Sequence, residues 1–432
     1  MKHFTILLLL AGFLLSSPAN AQSSAREAIE ADLAFGANSY IAYPVHAEEL
    51  PPLTPAPRGY HPFYISHYGR HGSRWLTSSR NYDIPVEALQ MAARNQKLTP
   101  KGVEVLDQLE KLRVASKGRV GELTPLGARQ HQEIARRMAT HYPEVFRTTR
   151  KDGKAHVDCK SSTAMRCALS MANEAMTLKE VYPDLDITMD ASASDMAYIA
   201  YGGDEEIRER QKNARANEIP EYNARHNNCD HLMEVLFTDM AFVRDSIDRE
   251  AFLEHFSLLA SNEQSHDGGK RLLALLSEEE VWDLWLRDNA QWHVLRGSSA
   301  ITEGRMPRVA QSLLADIVAE ADSVILHGGR GANLRFGHDS NLMPLAVLLD
   351  IDDADQALAT MDDVEPSGWM ACHYVPMAGN IQLIFYRSRR SSEILVKALL
   401  CEHEATLPLP SDLFPYYRWS DLRAYCLQRC TP

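Results

Sequence analysis

The sequence has too little positive charge for a nucleic-acid surface and too few long apolar stretches for a membrane protein. Its 432 residues include 45 Lys and Arg against 58 Asp and Glu, which gives a formal net charge of −13. This acidic excess disfavours nucleic acid and offers no general attraction for anions. Beyond the amino terminus, no apolar segment is long enough to span a bilayer. Any anionic ligand must therefore be bound by a local cluster of cationic side chains.

Several enzyme signatures are also missing from the sequence. It contains no G-x-S-x-G, no H-E-x-x-H and no C-x-x-C, so a nucleophile elbow, a zincin site and a thiolate zinc site have no support. The segment GGRGAN at 328–333 lacks the lysine and the spacing of a P-loop. We therefore expect neither a metal nor another cofactor.

The amino terminus has the pattern of a secretory signal peptide. Lys2 precedes the apolar run FTILLLLAGFLLSS, and small residues follow at Ala19 and Ala21. The run is short for a spanning helix, so we expect cleavage after Ala21 and export to the periplasm or the medium. The seven cysteines would then meet an oxidising compartment, where we expect disulfides. Cys426 and Cys430 are close enough for a local bridge, and the odd count leaves at least one thiol over.

The rest of the chain alternates strand and helix patterns, which predicts an α/β fold with a mostly parallel central sheet flanked by helices. Strand patterns occur at 61–69, 155–159, 332–336, 380–387 and 393–400. From about 190 to 310 the pattern is helical, and Ser277 with Glu280 forms a capping box. We expect a signal peptide at 1–21, two parts of an α/β core at 22–190 and 311–432, and a mainly helical cap inserted at 191–310.

Chemically active side chains follow three of the predicted strands. The carboxyl ends of parallel strands are where ligands bind in open α/β sheets, so these side chains should meet at one edge. Ser161 or Ser162 can cap the helix that follows the second of these strands. The side chains are Arg70, His71 and Arg74 after the first strand, Arg166 after the second, and His338 and Asp339 after the third.

His71 has the surroundings of a phosphoryl-accepting nucleophile. An imidazole can attack phosphorus directly, and arginine forks bind the oxygens of the transferring group. The positive field of neighbouring arginines also disfavours imidazolium, so His71 can stay neutral and nucleophilic. Taken alone, an R-H-G triplet is more commonly a surface loop with solvated arginines.

His338 and Asp339 supply the remaining roles of such a reaction. His338 can donate to a phosphate oxygen, and Asp339 can protonate the leaving oxygen, which implies an acidic optimum. The alternative makes Asp339 a helix N-cap and His338 an ordinary loop residue. Arg166 is similarly ambiguous, since an arginine early in a helix can simply snorkel. The conjunction of three such sites after three strands favours the catalytic interpretation.

The chain resembles the histidine acid phosphatases, whose amino-terminal signature is R-H-G-x-R-x-P-T. The match runs from Arg70 to Thr77, with Leu76 in place of the proline. The resemblance implies that His71 is the phosphorylated nucleophile, that Arg70 and Arg74 clamp the phosphate, and that Thr77 lies near the substrate. It also implies an α/β core interrupted by a mainly helical cap.

Three further elements of the family pattern follow in the same order. They imply that Arg166 is a third clamp, that His338 contacts phosphate and that Asp339 is the general acid. The matching residues are Leu123, Thr124, Gly127 and Gln130 for L-T-x-x-G-x-x-Q, Ser162 and Arg166 for S-x-x-x-R, and His338 and Asp339 for the H-D pair.

The resemblance leaves the substrate open. The R-H-G-S-R-W loop and the segment MRCALSM are most similar to multiple inositol polyphosphate phosphatases, but that group typically has H-A-E where this chain has H-D. A phytase-like enzyme and a broad acid phosphatase acting on sugar phosphates or nucleotides therefore remain alternatives. A phosphomutase is disfavoured by the signal peptide and the cap, and a non-catalytic binder by the presence of both His71 and Asp339. Arg208, Arg210, Lys212 and Arg215 either contact further phosphates or form a solvated helical face.

Overall fold

The computed structural model describes residues 24–46, 50–148 and 154–430, and a mixed eight-stranded sheet lies at its centre. Its strands are β1 Tyr60–Arg70, β2 His156–Ser161, β3 Asp186–Asp190, β4 Gly331–Gly337, β5 Asn380–Ser388, β6 Leu395–Leu400, β7 His403–Glu404 and β8 Tyr416–Arg418. Their order across the sheet is β3-β2-β4-β1-β5-β6-β7, and β8 pairs with β6.

The half of the sheet that carries the predicted site is parallel. β3, β2, β4 and β1 run in the same direction, whereas β5 to β8 pair antiparallel. Arg70 at the end of β1 lies opposite Gly337 of β4, and Ser161 of β2 lies opposite Phe336. These three strands therefore end at one edge. The predicted α/β class, with a mostly parallel core sheet, is confirmed.

β1 is the central strand because its residues can be buried on both faces. Every residue from Phe63 to Arg70 is buried, as expected for a strand covered by helices on both sides. The same applies to most of β4 and β5. Burial of these strands holds the polar residues that follow them at a fixed depth below the surface.

Helices surround the sheet. The first group is α1 Ala25–Ala31, α2 Arg80–Arg94, α3 Pro100–Ser116, α4 Pro125–His141, α5 Pro143–Phe146 and α6 Met165–Val181. Between β3 and β4 the structure describes every residue and contains no strand, only 3-10 turns and α7 Met196–Ile199, α8 Glu205–Ala216, α9 Glu218–Arg225, α10 Asp230–Leu236, α11 Met240–Ser246, α12 Arg249–Asn262, α13 Gln264–Asp267, α14 Glu278–Arg296 and α15 Gln311–Leu326. The last group is α16 Asp339–Leu349, α17 Ala371–Tyr374 and α18 Trp419–Arg429.

Local sequence signals account for several helix starts. Thr124 caps α4 through its side chain, followed by Pro125, and Ser277 forms the predicted capping box with Glu280 at the start of α14. The predicted cap of α6 by a serine is wrong. Ala164 occupies that N-cap position, with no side-chain cap, because the preceding serines turn to other partners.

A second hydrophobic cluster lies beside the sheet core. It joins α2 and α3 with α10, α12 and α14, and a 3-10 segment at Leu33–Tyr40 packs against α12 and α14. Through this contact the segment is positioned beside the carboxyl edge of the sheet. The domain boundaries given above stay a prediction.

All seven cysteines lie within the described residues, and all are free thiols. The expected disulfides, including a Cys426–Cys430 bridge, are therefore not formed. Cys426 lies within α18 and Cys430 ends it, with the Cys430 N–H bonded to the Cys426 carbonyl at 3.0 Å. Side chains one helical turn apart have Cβ atoms about 5–6 Å apart, and a disulfide needs about 3.8 Å.

The predicted signal peptide falls outside the described residues. Within the described ranges, no helix combines the length and the apolar character needed to cross a membrane.

Candidate active site

The loop after β1 holds His71 at the edge of the sheet. The backbone N–H of His71 donates to Gly337 and its carbonyl accepts from Ala378, at 3.1 Å each, so the residue is tied to β4 and to the segment that precedes β5. Its side chain is 2% exposed. Nδ1 lies 2.9 Å from the Gly72 carbonyl oxygen, which can only accept. Nδ1 therefore carries the proton, and Nε2 carries a free lone pair.

Burial and positive charge hold His71 in its neutral form. Burial is the largest cause of a pKa well below the usual value, and Arg70, Arg74, Arg166 and His338 lower it further. The nucleophilic form of the imidazole is therefore present in acid as well as at neutral pH.

Arg70, Arg74 and Arg166 surround this imidazole with donors. Arg70 donates through Nη1 to the backbone oxygens of Ser39 (2.6 Å) and Val375 (2.5 Å). Arg74 donates to the Trp75 carbonyl at 3.1 Å. Among the described residues, the buried Nε–H groups of all three arginines have no hydrogen-bond partner. Because an unsatisfied buried donor is costly, an anion that accepted hydrogen bonds from these groups would be stabilised here.

His338 lies between the His71 loop and α6. Its ring centroid is 5.7 Å from that of His71. The Arg166 guanidinium, which can only donate, lies 3.4 Å from Nδ1, so Nε2 carries the proton and donates to Ser162 Oγ at 3.2 Å. Burial, followed by Arg166, lowers the pKa of His338 to about 4. Ser162, one of the two serines expected to cap α6, therefore orients His338 instead.

Asp339 is ion-paired with Arg70. Its Oδ2 lies 2.6 Å from Arg70 Nη2, with the arginine side chain 1% exposed and the carboxylate 20% exposed. Burial raises the pKa of Asp339, but Arg70, Arg74 and His338 outweigh it and hold the pKa below the usual value. The carboxylate is therefore ionised until an anion engages these cations.

Thr77 lies at the rim of the site rather than inside it. It is exposed, and it flanks Gly121 together with Arg166: a Cβ placed on Gly121 would lie 3.8 Å from Thr77 Cγ2 and 3.7 Å from Arg166 Nη1. Leu76 is fully buried, and its backbone N–H donates to Tyr82 Oη at 2.9 Å. A proline has no N–H to make this bond, so here a hydrogen bond constrains the loop at the position where the family motif has proline.

The L-T-x-x-G-x-x-Q residues support the loop from behind. Gln130 accepts from the Ser73 N–H at 2.9 Å, and the Thr124 N–H donates to the Ser73 carbonyl at 2.9 Å. Gly127 packs directly on the loop, since a Cβ there would lie 2.2 Å from the Ser73 oxygen. Only glycine permits this approach. These residues position the His71 loop and do not enter the site.

A cavity of about 260 Å³ opens above the arginines, and we call it the phosphate pocket. Of the predicted site residues, Arg70, Arg74 and Asp339 line it, and His71, Arg166 and His338 lie beside them. Tyr40, Asp288 and Arg296 also line it and were not predicted. Tyr40 comes from the 3-10 segment and stacks on Arg74, with the guanidinium carbon 5.4 Å from the ring centroid. The segments that contain Tyr40, Asp288 and Arg296 have no sequence motif that identifies these residues as part of a site.

One of the four basic residues of α8 faces the phosphate pocket. Arg215 lines it, whereas Arg208 bonds the Gly203 carbonyl, Arg210 pairs with Glu206 and Glu303, and Lys212 pairs with Glu209. The solvated-face interpretation therefore fits three of the four. Arg215 is therefore available to contact a ligand in this cavity.

No protein-family model matches the chain, and no curated protein matches it in sequence. Solved structures do match. The multiple inositol polyphosphate phosphatase of Bifidobacterium longum, in complex with inositol hexasulfate, aligns with a TM-score of 0.75 at 19% identity, covering 90% of this chain and 96% of that one. The phytase from D. castellii aligns with a TM-score of 0.66 at 16% identity, covering 96% and 88%. The chain has the fold of these phosphatases.

A third phosphatase-fold neighbour is more distant. The Hafnia alvei phytase aligns with a TM-score of 0.52 at 13% identity, covering 88% of this chain and all of that one. These neighbours confirm the resemblance to the histidine acid phosphatases drawn from the motifs. At these identities the likeness concerns the fold, so the roles of the site residues in this phosphatase fold depend on the geometry above.

Proposed function

We propose that this protein is a phosphomonoesterase that hydrolyses phosphate esters through a phosphohistidine at His71. The observation that carries the proposal is a neutral imidazole with a free Nε2, surrounded by three arginines whose buried Nε–H groups lack partners. A phosphoryl group satisfies both features, since its oxygens accept from the arginines while its phosphorus meets Nε2.

In the first step, Nε2 of His71 attacks phosphorus and the bond from phosphorus to the ester oxygen breaks. The leaving oxygen takes a proton from Asp339, which releases an alcohol and leaves the phosphoryl group on nitrogen. Asp339 can acquire that proton once the phosphate engages Arg70 and Arg74, because these cations otherwise hold its pKa low.

In the second step, water attacks the phosphohistidine. Asp339, now ionised, accepts a proton from the water while the nitrogen–phosphorus bond breaks. Inorganic phosphate is formed and His71 returns to its neutral form. The arginines stabilise the transferring group throughout, the role that magnesium has in kinases.

We propose inositol polyphosphates as the substrate class. Arg215 and Arg296 add cationic groups to the phosphate pocket beyond the three clamp arginines, which suits a substrate with several phosphates. The multiple inositol polyphosphate phosphatase and the phytases with this fold lend further support.

Export through the amino-terminal signal is part of the same proposal. Amino-terminal sequencing of the mature protein tests it, and we expect a chain that begins at Gln22.

The test is release of inorganic phosphate by metal-free protein from phytate, a sugar phosphate, a nucleotide and p-nitrophenyl phosphate. In acid we expect hydrolysis with preference for phytate, and loss of all turnover in His71→Ala. His61→Ala is the matched control, since His61 lies exposed at the opposite end of the same strand. Equal rates on all four substrates would favour a broad phosphatase, and hydrolysis of none would favour a binding protein.

A further inference from the structure

The phosphate pocket adjoins a larger cavity, which we call the leaving-group chamber. It measures about 440 Å³ and lies between α9, α12, α14 and the 3-10 segment. Tyr40, Arg215, Leu258, Asp288 and Gln291 line both cavities and form their common boundary. A phosphate ester bound by its phosphate in the pocket would therefore extend its leaving group past these residues into the chamber.

Asp288 is the acidic residue on this boundary. It lies partly buried in the last half of α14, and within the described residues its carboxyl group makes no hydrogen bond or ion pair. The neighbouring Arg287 guanidinium, which lines the chamber, is likewise without such a partner in that part of the chain. Because neither side chain is tied to a protein partner, both are free to contact a group that enters the chamber.

The surroundings of Asp288 are mixed in charge. The charged or titratable groups that face it or share its two cavities are Arg287 and Arg296 on α14, Arg70 and Arg74 after β1, Arg215 on α8, Tyr40 on the 3-10 segment, Glu250 and Glu254 on α12, Cys372 on α17 and Asp339 on α16. Burial raises the pKa of Asp288 to about 7, against the lowering effect of Arg287 and Arg70. Its charge therefore changes near neutral pH.

We propose that Asp288 selects substrates by the charge of their leaving group. This rests on the proposed function, because it assigns a role within the same phosphate-ester site. The neutral carboxyl donates a hydrogen bond to a phosphate or hydroxyl oxygen of the leaving group. The ionised carboxylate repels a further phosphate and offsets the charge of Arg70 and Arg287. Leaving groups with several phosphates are thus accepted in acid and disfavoured at neutral pH.

Calorimetric titration tests this without turnover. Inositol hexakisphosphate and inorganic phosphate are titrated into His71→Ala and into His71→Ala with Asp288→Asn, at pH 5 and pH 7.5. At pH 7.5 we expect the ratio of the Kd for the hexakisphosphate to the Kd for phosphate to fall about fivefold on Asp288→Asn. At pH 5 the two proteins should give the same ratio.

Glu278→Gln is the control, because it removes a carboxylate from the exposed first turn of the same helix, outside both cavities. Asp288→Ser serves as a second variant if the asparagine variant does not fold. An unchanged ratio at pH 7.5, or weaker hexakisphosphate binding in the Asp288 variants, would overturn the proposal. This test measures binding and does not depend on turnover. If the wild-type protein released no phosphate, the proposed function would be refuted, but the ratio of the two Kd values would still decide the role of Asp288.

Discussion

At the scale of single residues, the site depends on which protonation states its neighbours permit. Burial and the arginines keep His71 neutral, and Arg70 and Arg74 also keep Asp339 ionised. In the proposed reaction, the nucleophile is therefore ready before substrate binds and the acid is not. Substrate binding can supply the proton that Asp339 lacks. The bound phosphate pairs with Arg70 and Arg74, which then lower the pKa of Asp339 less, and a phosphate monoanion carries a proton of its own. The two carboxylates of the phosphate pocket also differ: Asp339 is paired with Arg70, whereas Asp288 has a raised pKa.

The acid role of Asp339 predicts a dependence on the leaving group. Asp339→Asn should lower kcat/KM for an alkyl phosphate by about 10²–10⁴-fold, because an alkoxide cannot depart without a proton. The loss for p-nitrophenyl phosphate should be much smaller, since its phenolate leaves unaided. Steady-state kinetics on both substrates measure this, and equal losses would count against the acid role.

The pKa directions predict an acidic profile for kcat/KM. Asp339 is ionised in the free enzyme, so the proton for the leaving oxygen must arrive with the substrate monoanion, whose second pKa is about 6. We expect kcat/KM to fall as pH rises through that value. On the acid side, His71 has a lowered pKa and stays neutral, so the enzyme should remain active at pH values well below 6.5. An acid limb at the ordinary histidine pKa would contradict the neutral imidazole inferred here.

At the scale of elements, three parallel strands position the site and one helix fixes its loop. The buried strands and the polar residues after them could be predicted from sequence, because continuous apolar runs followed by glycine are distinctive. β3 was missed because it is a short edge strand and most of its residues are exposed. Tyr40, Asp288 and Arg296 were missed because a 3-10 segment and an interior helix carry them to the site, and neither segment has a motif that indicates this.

The departure from the family motif at Leu76 can be tested at this scale. Leu76→Pro should lower the free energy of unfolding by about 1–3 kcal/mol, because it removes the buried hydrogen bond from the Leu76 N–H to Tyr82. Tyr82→Phe removes the same bond from the other side and should give a loss of similar size. Thermal denaturation of both variants measures the effect. A proline variant as stable as the wild type would show that this bond does not constrain the loop.

At the scale of the whole molecule, a chain with a net charge of −13 places four arginines, Arg70, Arg74, Arg215 and Arg296, around one cavity. Long-range attraction of a polyanion is therefore weak, and selection happens within the pocket and the chamber. The fold class could be predicted because strand and helix patterns alternate along most of the chain. The absence of disulfides among the seven cysteines could not be predicted, because the pairing of cysteines depends on distances that only the folded chain defines.

The cysteines give a prediction for the intact protein. Because no disulfide is formed, seven thiols per chain should react with a thiol reagent after denaturation without reductant, and the Tm should be the same with and without dithiothreitol. Fewer than seven reactive thiols, or a Tm lowered by reductant, would show that a bridge forms in the protein.

The central claim is that the phosphoryl group passes through His71. Rapid acid-free quenching of the enzyme during turnover of a ³²P-labelled phosphate ester, followed by peptide mapping, tests it directly. We predict an acid-labile, base-stable label on the peptide that contains His71, absent from His71→Ala. Label on another residue, or turnover without a labelled protein intermediate, would contradict the account.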